Sequence, residues 1–310
     1  MELIRGLHNL RARHRGCAAT IGNFDGVHRG HQVVLQRLHA EAERLAMPAT
    51  VIIFEPQPRE FFAPAAAPAR LTRLREKLMQ LAAQGAERVL CLRFDAALAG
   101  LSAEAFIQRV LVEGLGVRYV MLGDDFRFGR DRAGDFELLQ AVGQAAGFAV
   151  ERTPGFELDG RRVSSTRVRE ALGAGELETA ARLLGRPYAM AGRVAHGDKR
   201  GRSIGFPTAN IALHRPASPV QGVFAVHLCV DGEQLPGVAN VGTRPTVGGT
   251  RVLLEVHVLD FEGDLYGRHV EVAFLRKLRP EMRFESFDAL RAQIATDVEA
   301  ARAYFAHAPH

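Results

Sequence analysis

The feature that most constrains this 310-residue chain is a change of rhythm near residue 160. Before it, short apolar runs alternate with helical patterns; after it, strand-like runs succeed one another with no helix between them. The early runs are CAATI (17–21), ATVIIF (49–54), ERVLCLRF (87–94), RYVMLG (118–123) and FAVERT (148–153), with helices expected over roughly 31–46, 72–84, 102–113 and 134–146. Strand–helix alternation at this spacing predicts βαβ units, and therefore a parallel sheet covered on both faces that binds ligands at the carboxyl ends of its strands. SSTRVREAL and ELETAARLLG predict two short helices, closed by Gly185, Arg186 and Pro187. Beyond them, AMAGRVAHG, GVFAVHLCV, LPGVANV, VLLEVHVLD and GRHVEVAFL predict an antiparallel barrel or sandwich, crossed by an amphipathic helix over about 286–305. The domain boundary is placed at 184–187, giving domains 1–184 and 187–310.

Composition narrows the partners. Apolar residues make up 47% of the chain, enough for real cores, yet no run approaches the ~18 apolar residues of a membrane-spanning helix. The basic start, MELIRGLHNLRARHR, lacks the apolar centre of a signal peptide. Cys17, Cys91 and Cys229 are odd in number and far apart, in no metal-ligand spacing, so a reduced, cytoplasmic protein away from membranes is expected. A net charge of +5 and a pI near 9.5 ask for an acidic partner. The arginines are scattered, the chain has no tryptophan, and the basic residues of its second half gather at a glycine loop rather than along strands. These features favour a small polyphosphate over nucleic acid.

ATIGNFDGVHRGHQVVLQRLHAEAERL (19–45) follows the first expected strand and opens a helix. A helix N-terminus offers unpaired N–H groups and partial positive charge, which favour phosphate. Gly22, Gly26 and Gly30 let backbone approach a ligand, and Phe24 and Asp25 complete the turn. His28 and His31 stand three apart at the helix start, where they would share a face and donate to charge developing on a phosphoryl oxygen. In VSSTRVREAL (163–172), Ser164, Ser165 and Thr166 open a second helix whose first turn carries Arg167 and Arg169, against the dipole preference for acids. A polyphosphate removes that conflict.

The second half holds GRVAHGDKRGRSIGFPTANI (192–211), with Gly197, Gly201 and Gly205 among Lys199, Arg200 and Arg202. It is not a G-x-x-x-x-G-K-[ST] loop, but backbone N–H groups and basic side chains suit phosphates. Gly197, Lys199, Gly201, Arg202, Gly205, Phe206 and Pro207 are its ATP-binding candidates. Thr208 and Asn210 are neutral oxygen donors suited to Mg²⁺ carried by a nucleotide. In LLEVHVLD, strand alternation puts Leu253, Glu255 and His257 on one face; a carboxylate there is a candidate base for an alcohol.

GNFDGVHRGH resembles the H-x-G-H signature of the nucleotidyltransferase superfamily. Together with SSTRVR, EPQPREFF and GDDFRFG it resembles the FAD synthetase module of bacterial bifunctional riboflavin kinase/FMN adenylyltransferases. GRSIGFPTAN, GVANVGTRPT, LEVHVLDFEGDLYG and the ending from LRPEMRFESF are similar to riboflavin kinase, a small six-stranded barrel. The resemblance covers essentially the whole chain. It implies a Rossmann-like nucleotidyltransferase sheet followed by that barrel, with riboflavin, FMN and ATP as substrates, FAD as product and Mg²⁺ in both steps. It implies that His28 and His31 engage ATP phosphates, that Ser164, Ser165 and Arg169 complete that site, and that Asp125, Phe126 and Phe128 help form the flavin or adenine end. It places Thr208 and Asn210 at Mg-ATP and makes Glu255 the base for the ribityl 5′-hydroxyl, with Arg244 a flavin-binding candidate. Gln57 stands where many relatives carry histidine, and Arg244 where some carry asparagine. An aminoacyl-tRNA synthetase also uses H-x-G-H, but the K-M-S-K-S-type loop is missing here.

Overall fold

Twelve elements build the parallel half of the computed structural model, which describes residues 1–196, 205–246 and 249–307, with backbone alone at 244–246 and 249–251. They are β1 (Glu2–Arg5), β2 (Ala18–Ile21), α1 (Arg29–Arg44), β3 (Ala49–Glu55), α2 (Pro58–Phe62), α3 (Leu74–Ala83), β4 (Arg88–Arg93), α4 (Ala96–Ala99), α5 (Ala103–Phe106, continued by wider turns to Leu115), β5 (Tyr119–Gly123), α6 (Phe136–Ala146) and β6 (Ala149–Thr153). The sheet order is β1-β4-β3-β2-β5-β6, every pair parallel. All five early runs are strands. Because both faces are covered, β3 is apolar without alternation, and its first six residues are buried. Its side chains still divide by face: Ile52 packs with Leu90, Ile107, Leu111 and Val120, whereas Val51 and Ile53 pack with Leu35, Leu81 and Val89. A short antiparallel pair, β7 (Glu157–Leu158) and β8 (Arg161–Arg162), follows.

The helices α7 (Ser165–Ala174) and α8 (Leu177–Leu184) come next, then β9 (Tyr188–Ala195), β10 (Ala209–Ala212), β11 (Gly222–Val230), β12 (Glu233–Thr246), β13 (Gly249–Val258), β14 (His269–Arg279) and α9 (Phe287–His307). The six strands close in the order β10-β13-β12-β11-β14-β9, all antiparallel, so the barrel is realised and not the sandwich. The chain divides into two compact units: Met1–Pro68 with Thr72–Ser164, and Ala69–Leu71 with Ser165–His310. Gly185 ends α8 with φ of 75°, a left-handed stop that suits glycine.

Helix α9 lays Val298 and Ala301 on Val223, Ala225 and Val238 of the barrel. An ion pair anchors it: Arg279 donates to Asp297 through Nε at 2.9 Å and Nη2 at 2.8 Å, and Gln293 donates to the same carboxylate at 3.0 Å. Both charges are largely withdrawn from water, with side chains 15% and 6% exposed. Removing one partner strands the other. Arg279→Met is expected to cost about 3 kcal/mol, read as a lower urea midpoint for the barrel; an unchanged midpoint would mean that α9 docks without the pair.

Candidate active sites

β2 pairs with β3 on one side and β5 on the other, so the strand order reverses there. Ligands of open α/β sheets bind in the crevice at such a point. The loop leaving β2 carries His28 as the N-cap of α1, its Nδ1 accepting from the His31 N–H at 3.3 Å. That bond requires Nδ1 of His28 to be unprotonated. The two imidazoles stack, centroids 3.6 Å apart and 16° from parallel, with Phe24 4.9 Å from the His31 ring. The sequence-predicted pair is therefore brought together, though as a cap and a first-turn residue. Gly30 makes room for it: a Cβ there would lie 3.2 Å from the His28 ring. That same Cβ would lie 3.5 Å from the Val163 carbonyl, so the chain entering Ser164 passes the first turn of α1. Gly22 similarly leaves space for the Phe24 ring.

His31 is a polar orphan of this site. Its Nδ1 is buried and has no hydrogen-bond partner among the described residues. Burial above all, then His28 and the fully buried Lys77, hold its pKa well below the ordinary imidazole range. It is thus a neutral imidazole at neutral pH, able to donate one N–H and accept at its other nitrogen. Asp25, 3% exposed, anchors the turn: Oδ1 accepts from the Thr72 N–H at 3.0 Å and its hydroxyl at 3.2 Å, and the Thr72 hydroxyl accepts from the Gly26 N–H at 3.0 Å. The Asp25 that completes the turn in the sequence thus engages Thr72 through its Oδ1. Thr72 was missed, and with the two 47 positions apart no local spacing pointed to it.

On the other side of the switch point, the loop after β5 holds Asp125, exposed and paired with Arg162 at 2.8 Å; Arg162 also reaches Asp124 at 2.9 Å. Phe126 and Phe128 stack at 5.7 Å, and Phe128 meets Phe106 at 5.6 Å. The aromatic candidates thus form one cluster, with Phe128 buried in the core. Gln57 is 8% exposed and precedes α2, where its backbone N–H donates to Glu60 at 2.8 Å. Ser165 opens α7, and Arg169, half-buried, donates from Nε to the Ala69 carbonyl at 2.6 Å. The dipole conflict read from the sequence is partly met by that carbonyl.

In the barrel, Glu255 is opposite Asn210 of β10 and Asn240 of β12 in the ladders. Residues directly opposite on one face have Cβ atoms about 4.5–5.5 Å apart. Leu253, Glu255 and His257 are half-buried, while Val252, Leu254, Val256 and Val258 between them are buried, as alternation predicted. His257 Nδ1 lies 2.9 Å from the Pro207 carbonyl, and its ring meets Phe206 edge-on at 5.4 Å. This holds GFPT next to β13, with Thr208 and Asn210 both half-buried. The donors are hard oxygens, an amide, a hydroxyl and a nearby carboxylate, a set that fits Mg²⁺ shared with nucleotide phosphates and not a softer metal. Asn240 was overlooked; alternation along PGVANVG marks only its face, and the register of β12 on β13 is what sets it across from Glu255. Gly197, Lys199, Gly201 and Arg202 lie outside the described residues, as does the side chain of Arg244. Gly205 has φ of 88°.

Two family models match. FAD synthetase covers residues 10–167 and riboflavin kinase covers 184–305. The chain belongs to the bifunctional riboflavin kinase/FMN adenylyltransferase family. A protein of that name from Pseudomonas fluorescens is 56% identical over all of both chains. Its namesake from Escherichia coli K12 is also 56% identical, over 98% of each. A solved structure from Streptococcus pneumoniae, titled a macrolide-efflux protein, aligns with TM-score 0.81 and 29% identity over 97% of this chain and 99% of that one. Among the described residues here, no helix is long and apolar enough to cross a membrane.

The pKa of His31 gives a pH prediction. A histidine depressed on folding contributes stability above its unfolded value near 6.5, and that contribution is lost as pH falls from there towards the folded value. Acidification below about pH 6.5 should destabilise the first unit less in His31→Gln than in the parent. Equal acid sensitivity in urea titrations at pH 7.5 and 5.5 would contradict the buried neutral imidazole.

Proposed function

We propose that the chain phosphorylates riboflavin on the outer wall of the barrel and adenylylates the resulting FMN at the switch point of the parallel sheet. Residues 187–310 are assigned to the first reaction and 1–184 to the second. What most supports the pairing is the ladder position of Glu255, a half-buried carboxylate across from Asn210 and Asn240. A primary hydroxyl attacks poorly until its proton leaves. Glu255 would take the proton of the ribityl 5′-hydroxyl as the oxygen attacks the γ-phosphorus of ATP, with ADP leaving. Thr208 and Asn210 would hold Mg²⁺, which when bound neutralises phosphate charge. Gly205, Phe206 and Pro207, with Gly197, Lys199, Gly201 and Arg202, are assigned to the nucleotide, and Arg244 and Asn240 to the flavin side.

Adenylyl transfer needs less of the protein. The FMN phosphate is already an anionic nucleophile, so positioning and charge stabilisation suffice. His28 and His31 would donate ring N–H groups to oxygens of the α-phosphate as FMN attacks and pyrophosphate leaves. Gly22, Phe24, Gly26 and Gly30 shape that seat, and Ser164, Ser165 and Arg169 are assigned to its phosphates. Asp125, Phe126 and Phe128 are assigned to the flavin. The substrates are small molecules, and the three free, dispersed cysteines support a reduced, cytoplasmic setting.

Riboflavin, ATP and Mg²⁺ mixed with the pure protein should give FMN first and FAD after it, as resolved by chromatography over time. FMN without FAD would overturn the assignment of the histidine site. Glu255→Gln should slow FMN formation by about 10²–10⁴-fold while supplied FMN is still converted to FAD at the parent rate. Equal loss of both reactions in a folded variant would contradict separate sites.

A further inference from the structure

Neither reaction gives Gln57 a task, yet its amide is built into the ligand edge of the parallel sheet. It lies two residues beyond β3, at the carboxyl edge, one strand over from the histidine turn that leaves β2. Its backbone is tied down at both groups. The N–H donates to Glu60 Oε2 at 2.8 Å, and the carbonyl accepts from the Glu60 N–H at 2.9 Å and the Phe61 N–H at 3.2 Å. The side chain is another matter. Gln57 is only 8% exposed, and its amide nitrogen Nε2 is buried with no hydrogen-bond partner among the described residues. Native proteins satisfy nearly all such groups, because an unpaired buried amide costs stability. An N–H₂ enclosed without a protein acceptor is a donor aimed at a ligand.

The neighbouring side chains indicate which ligand. Phe54, the penultimate residue of β3, meets Phe94 edge-on at 5.7 Å and Phe106 at 6.4 Å. Phe106 continues to Phe128, 5.6 Å away, in the loop after β5. In the other direction Phe94 meets Phe61 and Phe62 of α2 at 5.5 and 5.6 Å. The Phe94 N–H donates to the Glu55 carbonyl at 3.2 Å, which fastens this part of the wall to the end of β3. Six phenylalanines thus form one belt along the carboxyl edge. Its far end, on the helix that Gln57 precedes, opens to water: Phe61 is 37% and Phe62 68% exposed. An exposed aromatic wall with one dry amide donor suits a flat heteroaromatic ring that carries an acceptor at its rim. Phosphates instead favour the unpaired N–H groups at the start of α1.

We propose that Gln57 is a specificity-determining residue for adenylyl transfer, its amide donating to a ring carbonyl of the flavin as the ring lies along the Phe61–Phe62 end of the belt. This rests on the assignment of FMN adenylylation to the parallel sheet and of Phe128 to the flavin. Gln57 and all six phenylalanines belong to the first unit. The amide weakens the fold and strengthens the complex, a combination that a packing residue does not show.

The test uses the full chain with FMN and ATP supplied directly, and riboflavin phosphorylation followed separately. Gln57→Leu removes the amide while filling much of its space. It should raise the KM for FMN in FAD formation by about 2- to 10-fold, the scale of one hydrogen bond. The KM for ATP and the kinase reaction should be unchanged, and the urea midpoint of the first unit should rise. A parent-like KM for FMN, a raised KM for ATP in its place, or a lowered midpoint would overturn the proposal. Lumiflavin, the ring without the ribityl phosphate, serves as a competing probe whose inhibition constant should weaken by the same factor. An unchanged constant would move the donor to the phosphate and end the ring assignment. Should Gln57→Leu not fold, Gln57→Asn keeps the amide but withdraws it by one methylene, and an unaltered KM for FMN there sinks the idea equally. His28→Ala separates the two readings. If it abolishes adenylyl transfer while Gln57→Leu is silent, the site stands and the role of Gln57 fails; if it too is silent, the site assignment fails and this proposal with it.

Discussion

Everything in the first unit depends on β2 having a parallel neighbour on both sides. Parallel pairing sends all carboxyl ends to one edge of the sheet, and the connections from β2 and β5 depart to opposite sides. A crevice results without any residue having been chosen for it. What the sequence adds at that place is a turn tight enough to put an imidazole at the N-cap of α1 and a second one beneath it. The stacking of His28 on His31 removes the second ring from water, and that burial keeps it uncharged. Fold, turn and protonation state are one chain of causes.

The barrel solves a different problem. Its closure leaves no sheet edge, so every strand has both neighbours fixed. Register then does the work of placing side chains. A slip of one residue in β13 would turn Glu255 inward and Leu254 outward. The buried Val252, Leu254, Val256 and Val258 make such a slip costly. The placement of Asn210, Glu255 and Asn240 follows from the ladder.

Much of this was legible from residue patterns. Apolar runs bounded by turns marked five parallel strands, because strands covered on both faces carry long uninterrupted signals. β1 escaped because only Ile4 of its four residues is buried, and the basic stretch after it hid the strand. β10 escaped because four residues of ANIA sit inside a glycine- and arginine-rich segment that reads as a loop. The histidines and Glu255 were found because helix starts and strand alternation are local signals. Thr72 was not, since its hydrogen bonds to Asp25 join residues 47 positions apart. The Phe126–Phe128 cluster was expected from resemblance alone; its junction with Phe106 belongs to tertiary packing.

The two-faced character of β13 has an evolutionary consequence. Its inward residues are buried aliphatic groups that pack the interior, while its outward residues include the carboxylate proposed as a base. Because neighbouring positions alternate between these duties, substitutions that repack the interior leave the outer wall's chemistry in place. Lineages can therefore retune thermal tolerance by drift inside the barrel without revisiting catalysis, and a library confined to Val252, Leu254, Val256 and Val258 would explore the former at little risk to the latter.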